Sequence, residues 1–487
     1  MTKQVSFPEL NSWDADWSKL NVLVTGIGVA GFSCADTLLE KNARVTVFDG
    51  SNPEKIKDTL ETLEIIGGKF INDEAELLDT LENYDLIVTS PGWPPHHKLF
   101  QAAAKHDIPI WGDVELAWRL RSRKGKKTAK WLLITGTNGK TTTTGMLESI
   151  LHHAGLKAKA VGNIGFPILD AIREPEEYDV FAAELSSFQL HWSESVSAEA
   201  AVVLNIAADH LDWHGSEEEY IKAKAKIFNQ VKIACIYNVE DSITLKMVEQ
   251  ADVVEGARAI GFTKGIPERS MLGVVEDVLC DRAFLAKRQT HALELCTFAD
   301  LGEPLAPHTI TNALAAAGLA RALDIEPAFI QAGLKNYRSS GHRIEKVAEI
   351  DDVTWINDSK ATNPHAAAAS LSAFKNIIWI AGGLAKGARY EDLIAEHGHR
   401  LKTVILIGED KTLLKAALTE KAPAVQIYET TASDGQEVMV QAVTKAQEIA
   451  TSGDIVLLAP AAASMDQFKT YADRGEKFAA EVEKLGD

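Results

Sequence analysis

Residues 131–150 read WLLITGTNGKTTTTGMLESI. An apolar run, Trp131 to Ile134, enters the glycine-containing turn Gly136 to Thr141, and a helix-like stretch follows. A triphosphate needs several backbone N–H donors converging on it. Glycines permit that close approach, and a helix start adds a favourable dipole. In such a loop Lys140 reaches the β- and γ-phosphates and the Thr141 hydroxyl binds Mg²⁺. The general spacing asks for a further glycine at position 134, where this chain has Ile134, so the loop is a shortened variant. The plainer alternative is a glycine-containing strand–helix turn without a ligand.

Upstream, Val22-Leu23-Val24 enters GIGVAG, Gly26 to Gly31, and a helix-like stretch runs to about Lys41. A strand from Arg44 to Phe48 ends at Asp49, and Leu86-Ile87-Val88 stops at Ser90-Pro91-Gly92. Strand and helix patterns in alternation predict a parallel sheet covered by helices. GIGVAG followed by Asp49 matches the dinucleotide-binding fingerprint and sustains a reading as an NAD(P)-dependent oxidoreductase. Alone, the motif asks only that some phosphate-bearing nucleotide approach a helix start. RLRSRKGKKTAK, Arg119 to Lys130, reads as a solvated basic linker and marks a first boundary.

Downstream, a strand at Val180 to Ala183 ends at Glu184 in ELSSFQL. A carboxylate at a strand's end beside a phosphate loop is where a metal-binding acid belongs, although strands also end in ordinary acidic residues. The strand Ala201 to Leu204 leads into NIAADHLDWHG, with His210 between Asp209 and Asp212. A lone histidine is more often a structural donor than a ligand. IKAKAKIF carries Lys222, Lys224 and Lys226, which by composition read as a solvated helix face. From Cys235 to Asp300 short strands alternate with turns in no evident order. A third segment has strands at Val353 to Ile356, Ile377 to Ile380, Val404 to Ile407 and Ile455 to Leu458, which predicts another open α/β sheet. The first of these ends in NDSKATNP, where Asp358, Lys360 and Thr362 put a carboxylate, a cation and a hydroxyl on one loop. A capped strand–helix loop explains Asn363 and Pro364 but leaves Lys360 without a task.

Composition sets outer limits. A chain of 487 residues predicts two to four domains. Hydrophobic residues at 46% and charged residues at 24% fit a soluble globular protein. A net charge of −19 argues against a general nucleic-acid backbone binder, so no nucleic-acid partner is expected. Cys34, Cys235, Cys280 and Cys296 have no zinc-ligand spacing and predict idle thiols in a reducing compartment. The first residues have no apolar signal-peptide core, and no apolar run approaches a membrane span. A cytoplasmic location without membrane insertion is therefore expected.

Taken in order, GTNGKT, ELSSFQL, DHLDWHG, KAKAKIF, HTITNALAA, GHR, NDSKATNP and APAAASMDQF resemble the Mur ligase superfamily over nearly the whole chain. DSKATN and SMDQF resemble its D-glutamate-adding branch. Folylpolyglutamate synthases share the phosphate loop but are not expected to carry this C-terminal set, and a ligase of that kind is a further alternative. The resemblance implies an ATP-dependent acid–amino-acid ligase that adds D-glutamate to UDP-N-acetylmuramoyl-L-alanine through an acyl-phosphate, in peptidoglycan precursor synthesis. It implies three α/β domains: a Rossmann-like one over 1–120 for the UDP-sugar, a P-loop ATPase-like one over 121–338 for ATP and Mg²⁺, and a Rossmann-like one over 339–487 for the amino acid. Two Mg²⁺ sites and a monomer are expected.

Residue by residue, the resemblance puts Val29, Ala30, Asp49, Gly50, Ser90, Asn163 and Ser186 on the UDP-substrate. Gly136, Thr137, Asn138, Gly139, Lys140, Thr141, Thr142, Asn312, Arg343 and Asp358 fall on ATP. Thr141, Glu184, His210 and Lys224 fall on the metals, with Lys140, His210 and Lys224 in catalytic positions and Lys224 carboxylated. Lys360, Thr362, Lys386, Ser464 and Tyr471 fall near D-glutamate. Thr309 stands where the family usually has Asn beside the adenine, and Tyr471 where some members have Phe.

Overall fold

The computed structural model describes residues 6–163, 166–302, 305–338, 341, 344–385 and 387–486. Three sheets are built on the apolar runs, and the strands that lie inside them are buried along most of their length because helices cover both faces. The first sheet holds β1 (Asn21–Thr25), β2 (Arg44–Phe48), β3 (Lys69–Ile71), β4 (Leu86–Thr89) and β5 (Ile110–Gly112). Its order is β3-β2-β1-β4-β5, with every pair parallel. The order reverses at β1, so a crevice opens at the carboxyl ends of β1 and β4, beside Gly26 and Ser90.

The second sheet holds β6 (Lys130–Thr135), β7 (Ala158–Gly162), β8 (Val180–Glu184), β9 (Ala200–Val203), β10 (Ala234–Asn238), β11 (Arg258–Phe262), β12 (Met271–Val275), β13 (Val278–Asp281) and β14 (Leu293–Thr297). The order is β14-β13-β12-β11-β10-β9-β6-β8-β7. It is parallel from β7 to β12, and β12 to β14 extend it as an antiparallel meander. That meander is the stretch whose order the sequence did not show. Here β6 lies between β8 and β9, so their carboxyl ends meet around the Gly136 turn.

These two sheets lie in one compact unit, Met1–Leu301 with Thr311–Tyr337. One apolar core runs through both, from Leu10 and Trp17 to Cys235 and Met247. Trp118 of the first segment meets Trp131 of β6 edge-on at 5.1 Å.

The second unit, Gly302–Ile310 with Arg338–Asp487, carries the third sheet. Its strands are β15 (Glu345–Ile350), β16 (Val353–Asn357), β17 (Ile377–Gly382), β18 (Leu401–Ile407), β19 (Gln426–Glu429) and β20 (Ile455–Leu458). The order is β15-β16-β20-β17-β18-β19, parallel except for β15. Apolar layers cover both faces. The strands named from sequence are present within a few residues. The strands the sequence did not announce, β3, β5, β7, β15 and β19, all lie at sheet edges. Four of them, β3, β7, β15 and β19, are half-exposed and weak in apolar residues because one side has no neighbour to bury.

All four cysteines are buried free thiols. Among the described residues no helix is long and apolar enough to cross a membrane.

The basic stretch Arg119 to Lys130 is not a solvated linker throughout. Only residues 124–128 form a continuous exposed run. Arg119 closes the helix Asp113–Leu120 and is 2% exposed. Its Nε donates to Glu115 Oε1 at 2.7 Å and to Ser195 Oγ at 2.9 Å, and its Nη atoms donate to the carbonyls of Ser6 and Phe7. The Arg121 and Arg123 guanidinium groups lie over the Trp118 and Trp13 rings at 3.6 and 3.5 Å. Charge counting misled here because a guanidinium next to a carboxylate and carbonyls can be buried at low cost. Arg119→Leu would leave the Glu115 carboxylate buried without its cation. It is expected to destabilise the first unit by about 3–5 kcal/mol in chemical denaturation.

Candidate active site

The turn after β6 is held from beneath by the loop after β9. Thr137 N donates to Asn205 O at 2.9 Å, and Asn138 N donates to Asn205 Oδ1 at 2.9 Å. Asn205 Nδ2 returns a bond to Asn138 O at 3.1 Å. Thr137 Oγ1 accepts from Ala207 N and lies 2.8 Å from the Tyr220 hydroxyl. Gly139 has φ +83, and a Cβ there would stand 2.4 Å from Asn312 Oδ1, so only glycine fits. Asn312 itself is 3% exposed, and its Nδ2 has no hydrogen-bond partner among the described residues. The helix Lys140–His153 begins at once, with Thr141 and Thr142 half-buried in its first turn.

Two lysine amines converge on this turn. Lys140 Nζ donates to the carbonyls of Gly136 and Thr137, both at 2.9 Å. Lys224 Nζ donates to the same Gly136 carbonyl at 2.8 Å and to Thr135 Oγ1 at 3.2 Å. Lys224 is 2% exposed, whereas Lys222 pairs with Glu218 and Glu219 at the surface. Lys226 turns to the carbonyls of His191 and Ser193. One lysine of the three therefore enters the interior, as helical spacing requires of residues two apart. Burial first, then the charge of Lys140, hold the Lys224 amine well below the usual lysine range, while Asp209 and Glu184 oppose them.

Glu184 ends β8 at 1% exposure. Its Oε1 accepts from Asn163 Nδ2 at 3.1 Å, and its Oε2 is buried without a hydrogen-bond partner among the described residues. A buried carboxylate oxygen left over in this way fits a hard cation. Among the described residues no three His, Cys, Asp or Glu side chains gather as a ready-made metal cluster. A Mg²⁺ ion here would therefore be shared among Glu184, Thr141, nucleotide oxygens and water, in keeping with its preference for few protein ligands. His210 has φ +52 and precedes the short helix Leu211–His214, with its side chain 43% exposed and its ring against Phe188. Ser186 caps the helix Ser187–His191 in a reciprocal box with Gln189.

In the first sheet, Gly26, Gly28, Val29, Ala30, Ser90, Gly92, Trp93 and Pro94 line an open cleft of about 430 Å³. A Cβ at Gly31 would lie 1.9 Å from Gly26 O, so this glycine lets helix and turn touch. Ser90 Oγ is buried without a partner at the cleft. Asp49 Oδ2 accepts from Ile27 N at 2.9 Å, and Gly50 is exposed beside it. Burial raises the Asp49 carboxyl, but hydrogen bonds from Ser51 and Ile27 outweigh it and leave the pKa lowered.

In the second unit the loops after β16 and β20 interlock. Asp358 N donates to Leu458 O at 2.8 Å, and Ala461 N to Ala361 O at 2.9 Å. Lys360 Nζ lies 3.6 Å from the centre of the Tyr471 ring, and Asp358 accepts from Ser370 Oγ. Thr362 is half-buried next to them, and Ser464 is 3% exposed. Arg474, fully buried, ties the two loops through Ser359 Oγ at 2.9 Å, Ser359 O at 2.8 Å and Ala462 O at 3.2 Å. Burial pulls its pKa down to about 9, still cationic at neutral pH. Arg343 and Lys386 lie outside the described residues.

The family described as the Mur ligase MurD-like N-terminal domain matches residues 20–112, the Mur ligase middle domain matches 134–320, and the Mur ligase glutamate ligase domain matches 342–462. The chain belongs to the Mur ligase family. It is 50% identical over 472 residues to a Streptomyces coelicolor protein named UDP-N-acetylmuramoylalanine--D-glutamate ligase, covering 97% of this chain and 99% of that one. The ligase of the same name from Thermobifida fusca is 46% identical over 95% of this chain and 98% of its own. A pseudomurein peptide ligase type C from Methanothermus fervidus shares the fold, with a TM-score of 0.56 at 20% identity, covering 96% of this chain and all (100%) of that one.

Within this Mur ligase, sequence reading passed over Asn205, Tyr220 and Arg474. Two left a signal. Asn205 directly follows the apolar run of β9, and Tyr220 precedes Lys224 by one helical turn. Arg474 left none, since its burial depends on two loops from distant parts of the chain.

His191 and His214 pack with Phe188 and Trp213 next to the site. Burial, then Lys226, pull His191 down to about 4. Burial, then His191, His210 and Lys224, pull His214 down to about 4, with Glu219 opposing in both cases. In an unfolded chain both titrate near about 6.5. As pH falls from there, the unfolded chain takes up protons that the folded protein refuses until about 4. Stability present above about pH 6.5 is therefore lost on the way down. Thermal midpoints measured across that window should drop, and His214→Phe should flatten the drop.

Proposed function

We propose that the protein is an ATP-dependent ligase that joins D-glutamate to the alanyl carboxylate of UDP-N-acetylmuramoyl-L-alanine, releasing ADP and phosphate, in cytoplasmic peptidoglycan precursor synthesis. The observation that carries the reading is the convergence of Lys140 and Lys224 on the Gly136 turn, beside the unpartnered oxygen of Glu184. The names of the relatives supply the substrates. The first sheet's cleft, with Val29, Ala30, Asp49, Gly50 and Ser90, takes the UDP-sugar, and Asn163 and Ser186 meet its muramoyl end. Asn312, Arg343 and Asp358 serve the nucleotide. Lys360, Thr362, Lys386, Ser464 and Tyr471 offer cations and hydroxyls to an amino acid with two carboxylates.

A carboxylate does not acylate an amine at neutral pH because its leaving group is poor. Transfer of the γ-phosphoryl group to the alanyl carboxylate gives an acyl-phosphate. The D-glutamate amine then attacks the carbonyl carbon, the C–O bond to phosphate breaks, and the amine proton passes to solvent or a base. Lys140 neutralises charge building on the β/γ-bridging oxygen. Mg²⁺, held by Thr141 and Glu184 and at a second site by His210 and Lys224, would offset the charge of the transferring group.

Phosphate release should require ATP, Mg²⁺, the UDP-linked substrate and D-glutamate together, and D-lysine should not replace D-glutamate. Release without any amino acid, or equally with D-lysine, contradicts the reading. Lys140→Ala should lower the rate by about two to four powers of ten with the fold intact by circular dichroism.

Lys224 is assigned a carbamate. A protonated amine would repel the cation, whereas the neutral amine favoured by burial can attack CO₂, shed a proton and become an anion with two oxygen donors. Lys224→Ala should lose activity and regain part of it with added acetate, while Lys222→Ala changes little. Full activity of Lys224→Ala in CO₂-depleted buffer would remove the carbamate.

A further inference from the structure

The helix Ser187–His191, which follows Glu184, is fastened to the first sheet by residues that have no place in the chemistry above. Gly112 N at the end of β5 donates to Trp192 O at 3.1 Å, and a Cβ on Gly112 would lie 3.1 Å from Trp192 Cβ. Three residues on, the Glu115 carboxylate accepts from Glu194 N at 2.7 Å and Ser195 N at 2.8 Å. Between these anchors stands Asp113, 7% exposed, whose Oδ2 accepts from Gln189 Nε2 at 2.9 Å. Its Oδ1 is buried without a hydrogen-bond partner among the described residues.

Gln189 is the pivot. Its side-chain amide is 3% exposed and faces two ways. Nε2 points to Asp113, and Oε1 accepts from Ser186 N at 3.1 Å and Ser186 Oγ at 3.2 Å. A carboxamide has a donor end and an acceptor end of nearly equal shape, so packing alone cannot choose its orientation. Asp113 can choose. A carboxylate accepts only, so it draws the NH₂ end to itself and turns the oxygen toward the two donors of Ser186. Without that acceptor the amide could flip, and its NH₂ would face the Ser186 N–H.

We propose that Asp113 is a positioning residue for the UDP-linked substrate, fixing the Gln189 amide and through it the turn that carries Ser186. It rests on the reading that Ser186 meets that substrate. Asp113 follows β5, the neighbour of β4, whose end carries Ser90. The sheet that carries the UDP-sugar cleft and the turn that carries Ser186 are therefore joined through Asp113 as well as through Gly112 and Glu115.

The test compares Asp113→Leu, Asp113→Asn and Gln189→Met. Asp113→Asn keeps one acceptor oxygen but adds a donor, so it fixes the Gln189 amide less firmly and should raise KM for the UDP-linked substrate by less than Asp113→Leu does. Asp113→Leu and Gln189→Met should raise KM for the UDP-linked substrate by about tenfold, the scale of one buried donor left unpaired. KM for ATP should stay within a factor of about three, since the Gly136 turn is held by Asn205 rather than by this helix. Calorimetric binding of UDP-N-acetylmuramoyl-L-alanine, which needs no turnover, should weaken by the same factor. An unchanged UDP-substrate affinity in both Asp113→Leu and Gln189→Met would overturn the proposal, as would a parallel rise in both KM values. If Asp113→Leu does not fold, Gln189→Met alone decides. If the unaltered protein binds the UDP-linked substrate but releases no phosphate with D-glutamate, the functional reading fails while the binding comparison still judges Asp113.

Discussion

The carbonyl oxygen of Gly136 receives two lysine amines, and much of the central sheet serves to make that possible. Two cations on one backbone oxygen repel each other unless one gives up its proton or an anion lies between them. The burial of Lys224 acts on the first possibility and the turn's shape on the second. Asn205, Thr137 and Tyr220 fix the turn from below, so its backbone cannot swing away from the two amines. Glu184, one strand over, supplies a carboxylate oxygen that no other described residue uses. Each of these groups sits at the carboxyl end of β6, β8 or β9 or on the helices that follow. The site is thus a product of strand order before it is a product of any single side chain.

The same logic explains which parts could be read from the sequence. Inner strands are buried on both faces along most of their length, so their residues are mostly apolar and each ends where the chain must turn. The chemistry lies at those turns. GTNGKT, Glu184 and NDSKATNP could therefore be located by where apolar runs stop. Edge strands such as β3 and β19 carry no such mark. The order of β12 to β14 depends on which surfaces pair, and local composition does not encode that.

The arginines were misread for a related reason. Composition assigns a charge to solvent unless a partner is in view, and the partners of Arg119 are Glu115, Ser195 and the carbonyls of Ser6 and Phe7, the last about a hundred positions away. Arg474, which the sequence left unmarked, is likewise buried by partners from two loops in the second unit. The lysines went the other way: three of them at every second position look alike on paper, and the helix alone decides that Lys224 goes inside. Gln189 and Asp113 show a further limit. Their importance lies in which end of an amide faces which neighbour, and no residue count contains that.

One apolar core passes without a break through the first and second sheets, yet the chain between them comes to the surface at residues 124–128. That surface crossing is a covalent thread over a seam that is closed by packing. A single nick there would leave Trp118 against Trp131 and Arg119 on Ser195, so the two pieces would stay married and part only in denaturant. Separated at birth instead, each piece would carry an unpaired apolar face. The two sheets are two domains by topology and a single body by wetting.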